Sequence, residues 1–514
     1  MNEEIYEDYI AVSRYARYLP DLKRREKWDE TVNRFIDFFD ERLSPNDYVH
    51  TFNALRKAIT NKEVLPSMRS VMTAGRALER DHVAGYNCAY IAADNIRVFD
   101  ESLYIMLCGT GLGFSVERQH IAKLPEVAES FHDTDTTIVV SDSKLGWAKA
   151  LKELVSLLYQ GEIPKIDTSS VRKAGEILKT FGGRASGPEP FERMCRHFIR
   201  VFKGAEGRKL TSIEIHDLIC HTGEAVLVGG VRRTALISLS NHSDERMRHA
   251  KMGQWYLENP QRSLANNSIC YTERPDMGAF MREWLAIYES KSGERGIFNR
   301  EACLNMLPER RDADHDFGTN PCSEIVLRSA QFCNLTEVVA RHSDGRDDLL
   351  KKVEYATILG TMQSTLTDFR YLRNIWKRNC EEERLLGVSI TGIYDCPWLL
   401  TADKWDLADL KDHAVAVNKK WAKKLGINPA TAVTCIKPSG TVSQLARCSS
   451  GIHPSYNEYY KRTVRNDKKD PLAQVMIDAG VPYEEDIHNS EAWVFSFPMK
   501  GTGVNRKKIT PIMQ

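Results

Sequence analysis

The residues of this chain best suited to chemistry lie within a single short stretch. Asn320-Pro-Cys-Ser-Glu-Ile-Val-Leu sets Cys322 and Glu324 two residues apart, and Phe332-Cys333-Asn334-Leu335 adds a second thiol eleven residues beyond the first. If the segment is extended around Cys322, side chains at i and i+2 share a face, so a thiol and a carboxylate point into one space. Such a pair suits an oxidation–reduction in which hydrogen and proton leave one substrate through separate groups. The same residues also fit a buried cysteine beside a capping glutamate, because cysteine commonly serves as a small core residue. No CxxC or HxxxH partner stands nearby, so the spacing does not specify a metal site. Cys88, within Tyr86-Asn-Cys-Ala-Tyr, taken alone fits a core cysteine of a short strand.

Further segments have the composition of anion sites. In Lys437-Pro-Ser-Gly-Thr-Val-Ser, the residues Pro438, Ser439, Gly440 and Thr441 offer a tight turn, two hydroxyls and backbone N–H groups at a helix start. Hydrogen bonding and the helix dipole favour a phosphate there. An ordinary strand–helix turn with a Ser or Thr cap accounts for the same residues, and Walker spacing is absent. Cys108-Gly-Thr-Gly-Leu-Gly-Phe carries Gly109, Gly111 and Gly113 at offsets wrong for a dinucleotide fingerprint, which leaves a tight loop between helix and strand. Arg232 and Arg233, just after Gly229-Gly230, could clamp a phosphate bidentately or stand in solvent as a surface pair. Tyr456, Tyr459 and Tyr460 line a pocket or simply pack.

These residues need elements to hold them. Residues 5–59 repeat apolar positions at helical steps, among them Trp28, Val32, Phe35, Ile36 and Phe39. Short apolar runs at 87–91, 235–239, 384–390, 432–436 and 494–498 predict strands, and they alternate with helical patterns at 99–107, 141–159, 190–202, 212–220, 277–291 and 349–376. That alternation predicts an α/β fold with a parallel or barrel-like sheet. Residues 180–190 hold three glycines and two prolines and must form a loop, whose length suggests function. Composition is that of an ordinary soluble protein: 514 residues, 42% hydrophobic, 27% charged, net charge +1. The balance gives no nucleic-acid footprint. The acidic, helical start is not a signal peptide, and no apolar run approaches the ~18 residues of a membrane span. Twelve scattered cysteines without a disulfide framework fit reduced thiols in a cytoplasm.

Together, and in this order, Tyr86-Asn-Cys-Ala-Tyr, Gly111-Leu-Gly-Phe, Leu178-Lys-Thr-Phe-Gly-Gly-Arg-Ala-Ser-Gly-Pro-Glu-Pro, Gly229-Gly-Val-Arg-Arg, Asn320-Pro-Cys-Ser-Glu-Ile, Phe332-Cys-Asn-Leu and Lys437-Pro-Ser-Gly-Thr-Val-Ser resemble the catalytic chain of a ribonucleotide reductase. Among its branches the chain looks most like the adenosylcobalamin-dependent (class II) ribonucleoside-triphosphate reductases. The resemblance implies a ten-stranded α/β barrel with a central finger loop carrying Cys322. It implies an N-terminal helical region over 1–64 without an ATP cone, a barrel over 65–514, and an effector-loop or insertion region over about 108–240. It also implies a division of labour. Cys322 becomes a thiyl radical that takes the ribose 3′-hydrogen, Glu324 handles the 3′-hydroxyl proton, and Asn320 orients that hydroxyl. Cys88 and Cys333 form the reducing dithiol and finish as a disulfide.

By the same resemblance, Pro438–Ser443 with Ser67 hold the substrate phosphate. The loops bearing Gly109, Gly111, Gly113, Arg184, Arg232 and Arg233 hold a deoxynucleoside triphosphate effector. Expected partners are a ribonucleoside di- or triphosphate and thioredoxin or a similar dithiol, with the protein a monomer or homodimer. The family's C-terminal cysteine pair does not appear before Gln514, so the expectation is a minimal, split or truncated chain. The radical source is then adenosylcobalamin or, alternatively, a dimetal-bearing, ferritin-like small subunit. A different class of answer is an inactive nucleotide-sensing paralogue, which would need none of Cys88, Cys322, Glu324 and Cys333.

Overall fold

The computed structural model describes residues 2–43, 48–176, 185–228, 231–232, 234–487 and 489–514. The chain divides into two compact units that interleave in sequence. One takes Arg80–Cys333 and Thr367–Glu383, the other Met1–Glu79, Asn334–Leu366 and Arg384–Gln514.

The first unit is built on five parallel strands in the spatial order Gly296–Asn299, Ala265–Tyr271, Leu236–Asn241, Gly111–Ser115 and Cys88–Ala92. Every residue of Cys88–Ala92 is buried, as are 236–240. A parallel strand covered on both faces has to be apolar throughout, and CAYIA and LISLS meet that demand with few polar atoms. Beyond Cys88–Ala92 the ladder changes direction, for residues 331–333 pair with it antiparallel. The covering helices follow from sequence spacing. Glu189–Lys203 buries Phe191, Met194, Cys195, Phe198 and Phe202, one stripe at three- and four-residue steps. Phe198 meets Phe99 edge-to-face at 5.5 Å, and Phe202 meets Tyr159 likewise at 4.9 Å. Such ring pairs contribute about 1 kcal/mol each beyond their burial. Ser143 caps Lys144–Tyr159 by accepting from the Gly146 amide.

The second unit contains the helical N-terminal region expected from periodicity. Helices Asn2–Arg14, Trp28–Arg42 and Val49–Thr60 bury Val32, Phe35, Ile36, Phe39, Phe52, Leu55 and Ile59. In the same unit, residues 334–339 run between Val64–Leu65, antiparallel, and Leu386–Thr391, parallel. Tyr459–Asp467, Asn489–Lys500 and Tyr483–Asp486 make a three-stranded antiparallel sheet.

Two sequence expectations are corrected here. The pattern over 349–376 is broken: Arg346–Gln363 and Asn374–Glu383 are separate helices. Residues 432–436 are not a strand, making only a bridge at Thr434 to Val388. The strand expected at 494–498 is present, as part of the twelve-residue strand Asn489–Lys500. Among the described residues no helix is long and apolar enough to cross a membrane.

Candidate active site

Cys322 and Glu324 do not lie on a strand, so the period-two argument does not explain their proximity. Gly318–Thr319 and Val326–Leu327 pair antiparallel as the legs of a short hairpin, and residues 320–325 form its tip. Ser323 takes a left-handed backbone at φ 63°, and its amide donates to the Asn320 carbonyl at 2.9 Å. Left-handed conformations of non-glycine residues collect at functional loops whose surroundings over-determine them. Here the Asn320 side chain does so: its Oδ1 accepts from the Ile325 amide at 3.0 Å, closing the tip. Cys322 is exposed at that tip, and Glu324 is half-buried beside it.

The Asn320 amide nitrogen, fully buried, donates to Glu324 Oε2 at 2.6 Å and to Cys88 Sγ at 3.2 Å. One side chain thus joins the carboxylate of the tip to a thiol 232 residues away. Cys88 is in turn the register partner of Cys333 across the antiparallel ladder. Directly opposed residues in such a ladder have Cα atoms ~4.5–5.5 Å apart, inside the span a disulfide needs. Both thiols are buried, and all twelve cysteines of the chain are thiols.

The hairpin lies against the sheet at a distance only glycine allows. A Cβ on Gly113 would stand 1.8 Å from the Thr319 carbonyl oxygen, and one on Gly318 would stand 2.0 Å from the Tyr90 ring. Each leg is then held at its base by buried charge. Arg300 donates to the Phe317 carbonyl at 2.6 Å and to Glu117 at 2.6 and 3.1 Å, and it pairs with Asp316 at 2.5 Å. His120 bridges Asp316 at 2.6 Å and Ser115 at 2.8 Å. Burial works to raise the Asp316 carboxyl, but His120 and Arg300 overcome it and hold it down at about 2. On the other leg, Arg311 donates to the Val326 carbonyl at 3.0 Å and pairs with buried Glu383, which also accepts from Gln331 at 2.7 Å.

In the other unit, Ser439 is buried at φ 51° with its hydroxyl on the Glu337 carboxylate, and Lys437 Nζ lies 3.5 Å from the same oxygen. The Ser439 hydroxyl is therefore committed, which leaves the turn one hydroxyl, Thr441, where the sequence offered two. The amides of Gly440, Thr441 and Val442 have no acceptor among the described residues, and Pro438, Gly440 and Thr441 are exposed. Thr441 starts the helix Val442–Ala446. Ser67 is fully buried at the start of Met68–Thr73, two residues after Leu65, the register partner of Glu337.

No protein-family model matches the chain. Whole sequences do match. Adenosylcobalamin-dependent ribonucleoside-triphosphate reductases of Lactobacillus delbrueckii subsp. bulgaricus and Lacticaseibacillus paracasei are each 27% identical to it, over 96% and 95% of this chain and 79% and 78% of theirs. A crystal structure of a B12-dependent (class II) ribonucleotide reductase superposes with a TM-score of 0.83 at 24% identity, over 96% of this chain and 81% of that one. The chain is thus similar along nearly its whole length to adenosylcobalamin-dependent ribonucleoside-triphosphate reductases. The class Id α subunit of Actinobacillus ureae is a more distant likeness, with a TM-score of 0.55 at 12% identity, over 92% of this chain and 78% of that one. The fold is accordingly that of the class II reductase, as the motif order implied.

Within that reductase fold, the glycine-rich run is loop only at 108–110, where Gly109 turns at φ 83°. Gly111 and Gly113 belong to the strand and serve the approach of the hairpin. Arg232 is placed by its backbone in the short strand Val231–Arg232, paired antiparallel with Leu227–Val228, and Arg184 and Arg233 lie outside the described residues. Sequence reasoning missed the clamps at Glu117, His120, Arg300, Asp316, Arg311 and Glu383. Their members come from segments up to 196 residues apart and make no motif. Glu337 did carry a signal, as a carboxylate inside a strand whose nine residues are all buried.

Proposed function

We propose that this chain reduces ribonucleotides to deoxyribonucleotides through a thiyl radical on Cys322. The observation that carries the reading is the linked set Glu324–Asn320–Cys88, with Cys333 opposed to Cys88, beneath a loop that presents Cys322. Each member has a distinct task. The Cys322 radical takes the 3′-hydrogen of the ribose and returns it once the 2′ position is reduced and Glu324 has given back the 3′-hydroxyl proton, which restores the radical. Glu324 receives the 3′-hydroxyl proton, and Asn320 holds that carboxylate in one orientation. Cys88 and Cys333 supply two electrons and two protons, the 2′-hydroxyl leaves as water, and the two sulfurs join as a disulfide. Separating the radical thiol from the reducing pair keeps a neighbouring thiol from quenching it. The substrate polyphosphate binds the open amides of Gly440, Thr441 and Val442 and the Thr441 hydroxyl, with Ser67 supporting the turn.

The relatives are named for triphosphate substrates and adenosylcobalamin, and both are proposed here. The exposed sulfur at the loop tip fits a cofactor that must reach it from outside the chain's own side chains. When bound, adenosylcobalamin would supply the one-electron oxidant of the Cys322 thiol at the loop tip. A cytoplasmic location, re-reduction of the Cys88–Cys333 disulfide by thioredoxin or a similar dithiol, and a deoxynucleoside triphosphate effector at the loops of about 108–240 complete the proposal, with residues 65–514 as its reductase part.

The test is direct. Purified protein with adenosylcobalamin, dithiothreitol and each ribonucleoside triphosphate is expected to form the deoxynucleotide, and Cys322→Ser is expected to form none while still binding nucleotide. Turnover by Cys322→Ser equal to wild type would remove the radical assignment.

A further inference from the structure

The second unit contains a cavity of about 880 Å³ whose charge the reductase reading leaves unexplained. Lys62, Arg341, Arg447, Arg462, Lys500 and Arg506 line it, against one acidic side chain, Glu7. In a chain of net charge +1 this is a local excess of five positive charges. Glu7 is already engaged by Lys62 and, at 3.9 Å, by Arg447. The Arg341 guanidinium donates to backbone carbonyls, at 3.3 Å to Arg447 and 3.5 Å to Lys62, while its backbone amide donates to the Asp344 carboxylate at 2.8 Å. Burial, with Arg341 and Arg447 adding to it, pushes the Lys62 ammonium down to about 8.

The local structure explains why the cations converge. Tyr459–Asp467 alternates exposed and half-buried residues, so Tyr460 and Arg462 share its inward face. Tyr456 stands beside them, its ring 5.7 Å from that of Tyr460, with the Arg506 guanidinium 3.6 Å over its face. Guanidinium forks match phosphate oxygens, and a half-exposed tyrosine ring offers a stacking surface for a heteroaromatic base. The size suits a small ligand.

We propose that this cavity binds a nucleoside polyphosphate, with Arg341, Arg462 and Arg506 on the phosphates and Tyr456 against the base. Of the Pro438–Ser443 segment only Ser443 lines it, and the turn residues Pro438, Ser439, Gly440 and Thr441 do not. The proposal goes beyond the reductase reading and does not depend on it.

Full-length protein is illuminated with 8-azido-ATP and digested with trypsin. Label is expected in the peptide 448–461, which holds Tyr456, and excess inorganic tripolyphosphate is expected to compete it away. Arg462→Gln with Arg506→Gln is expected to cut that label at least tenfold, and exposed Arg506→Gln alone at least threefold, with circular dichroism unchanged. Tyr456→Ala is expected to weaken ATP but not tripolyphosphate. Label elsewhere only, or label in 448–461 that survives both arginine changes, would overturn the site. Either result would leave the Cys322 assay untouched, so the two readings fail separately.

Discussion

Asn320 connects the chemistry at the residue scale, because the two hydrogens of its amide have different partners, Glu324 and Cys88. Asn320→Ala leaves the Ile325 amide and the Glu324 carboxylate without that partner. An unmade buried hydrogen bond costs about 1–3 kcal/mol, so kcat is expected to fall tenfold or more with KM nearly unchanged in steady-state assays. Asn320→Asp tests charge instead. It sets a second carboxylate against Glu324, and one of two such neighbours must take a raised pKa. The acid limb of the kcat profile is then expected to move to higher pH, because the ionised base is reached only there. An unmoved limb would mean that Glu324 is not the base.

The elements decide where those residues stand. The hairpin rests on Gly113 and Gly318, and a methyl at Gly113 would strike the Thr319 carbonyl. Overpacking of this kind costs about 1–3 kcal/mol. Gly113→Ala is expected to lower the unfolding midpoint and to lower kcat by more than stability alone explains, since the tip itself must shift. At the base of the hairpin, Asp316 has a native pKa of about 2, below the ordinary carboxylate value of roughly 4. It therefore adds stability above about pH 4 that is lost as pH falls toward 2. More than a third of its side chain meets solvent, so we discount the shift to about 1 kcal/mol. Asp316→Asn is expected to flatten the acid limb of stability below pH 4 in urea titrations followed by circular dichroism. An unchanged limb would show that the His120–Asp316–Arg300 clamp does not hold the hairpin.

The whole molecule carries twelve thiols, of which the proposed turnover consumes two. Reduced protein given substrate and adenosylcobalamin but no external dithiol is expected to form about one product per chain. Thiol titration in denaturant is then expected to fall from twelve to ten. Mass mapping should recover a Cys88–Cys333 disulfide, and recovery of any other pair would reassign the reducing dithiol.

The sequence by itself picked out the side chains proposed for the chemistry and the strands that are buried. Cys322, Glu324, Cys88 and Cys333 sit in short motifs, and the CAYIA and LISLS runs are apolar enough to admit only covered strands. It did not determine how one loop tip carries both Cys322 and Glu324. That follows from a hairpin tip closed by the Asn320 side chain, and turn geometry set by a distant amide leaves no period to read. Nor did it distinguish the glycines of a loop from those of a strand: Gly111 and Gly113 are needed because the hairpin crosses them, a contact between segments some 200 residues apart. The clamps and the cationic cavity were likewise settled only by tertiary structure. Charges drawn from remote segments acquire a shared low-dielectric environment only once the chain has brought them together.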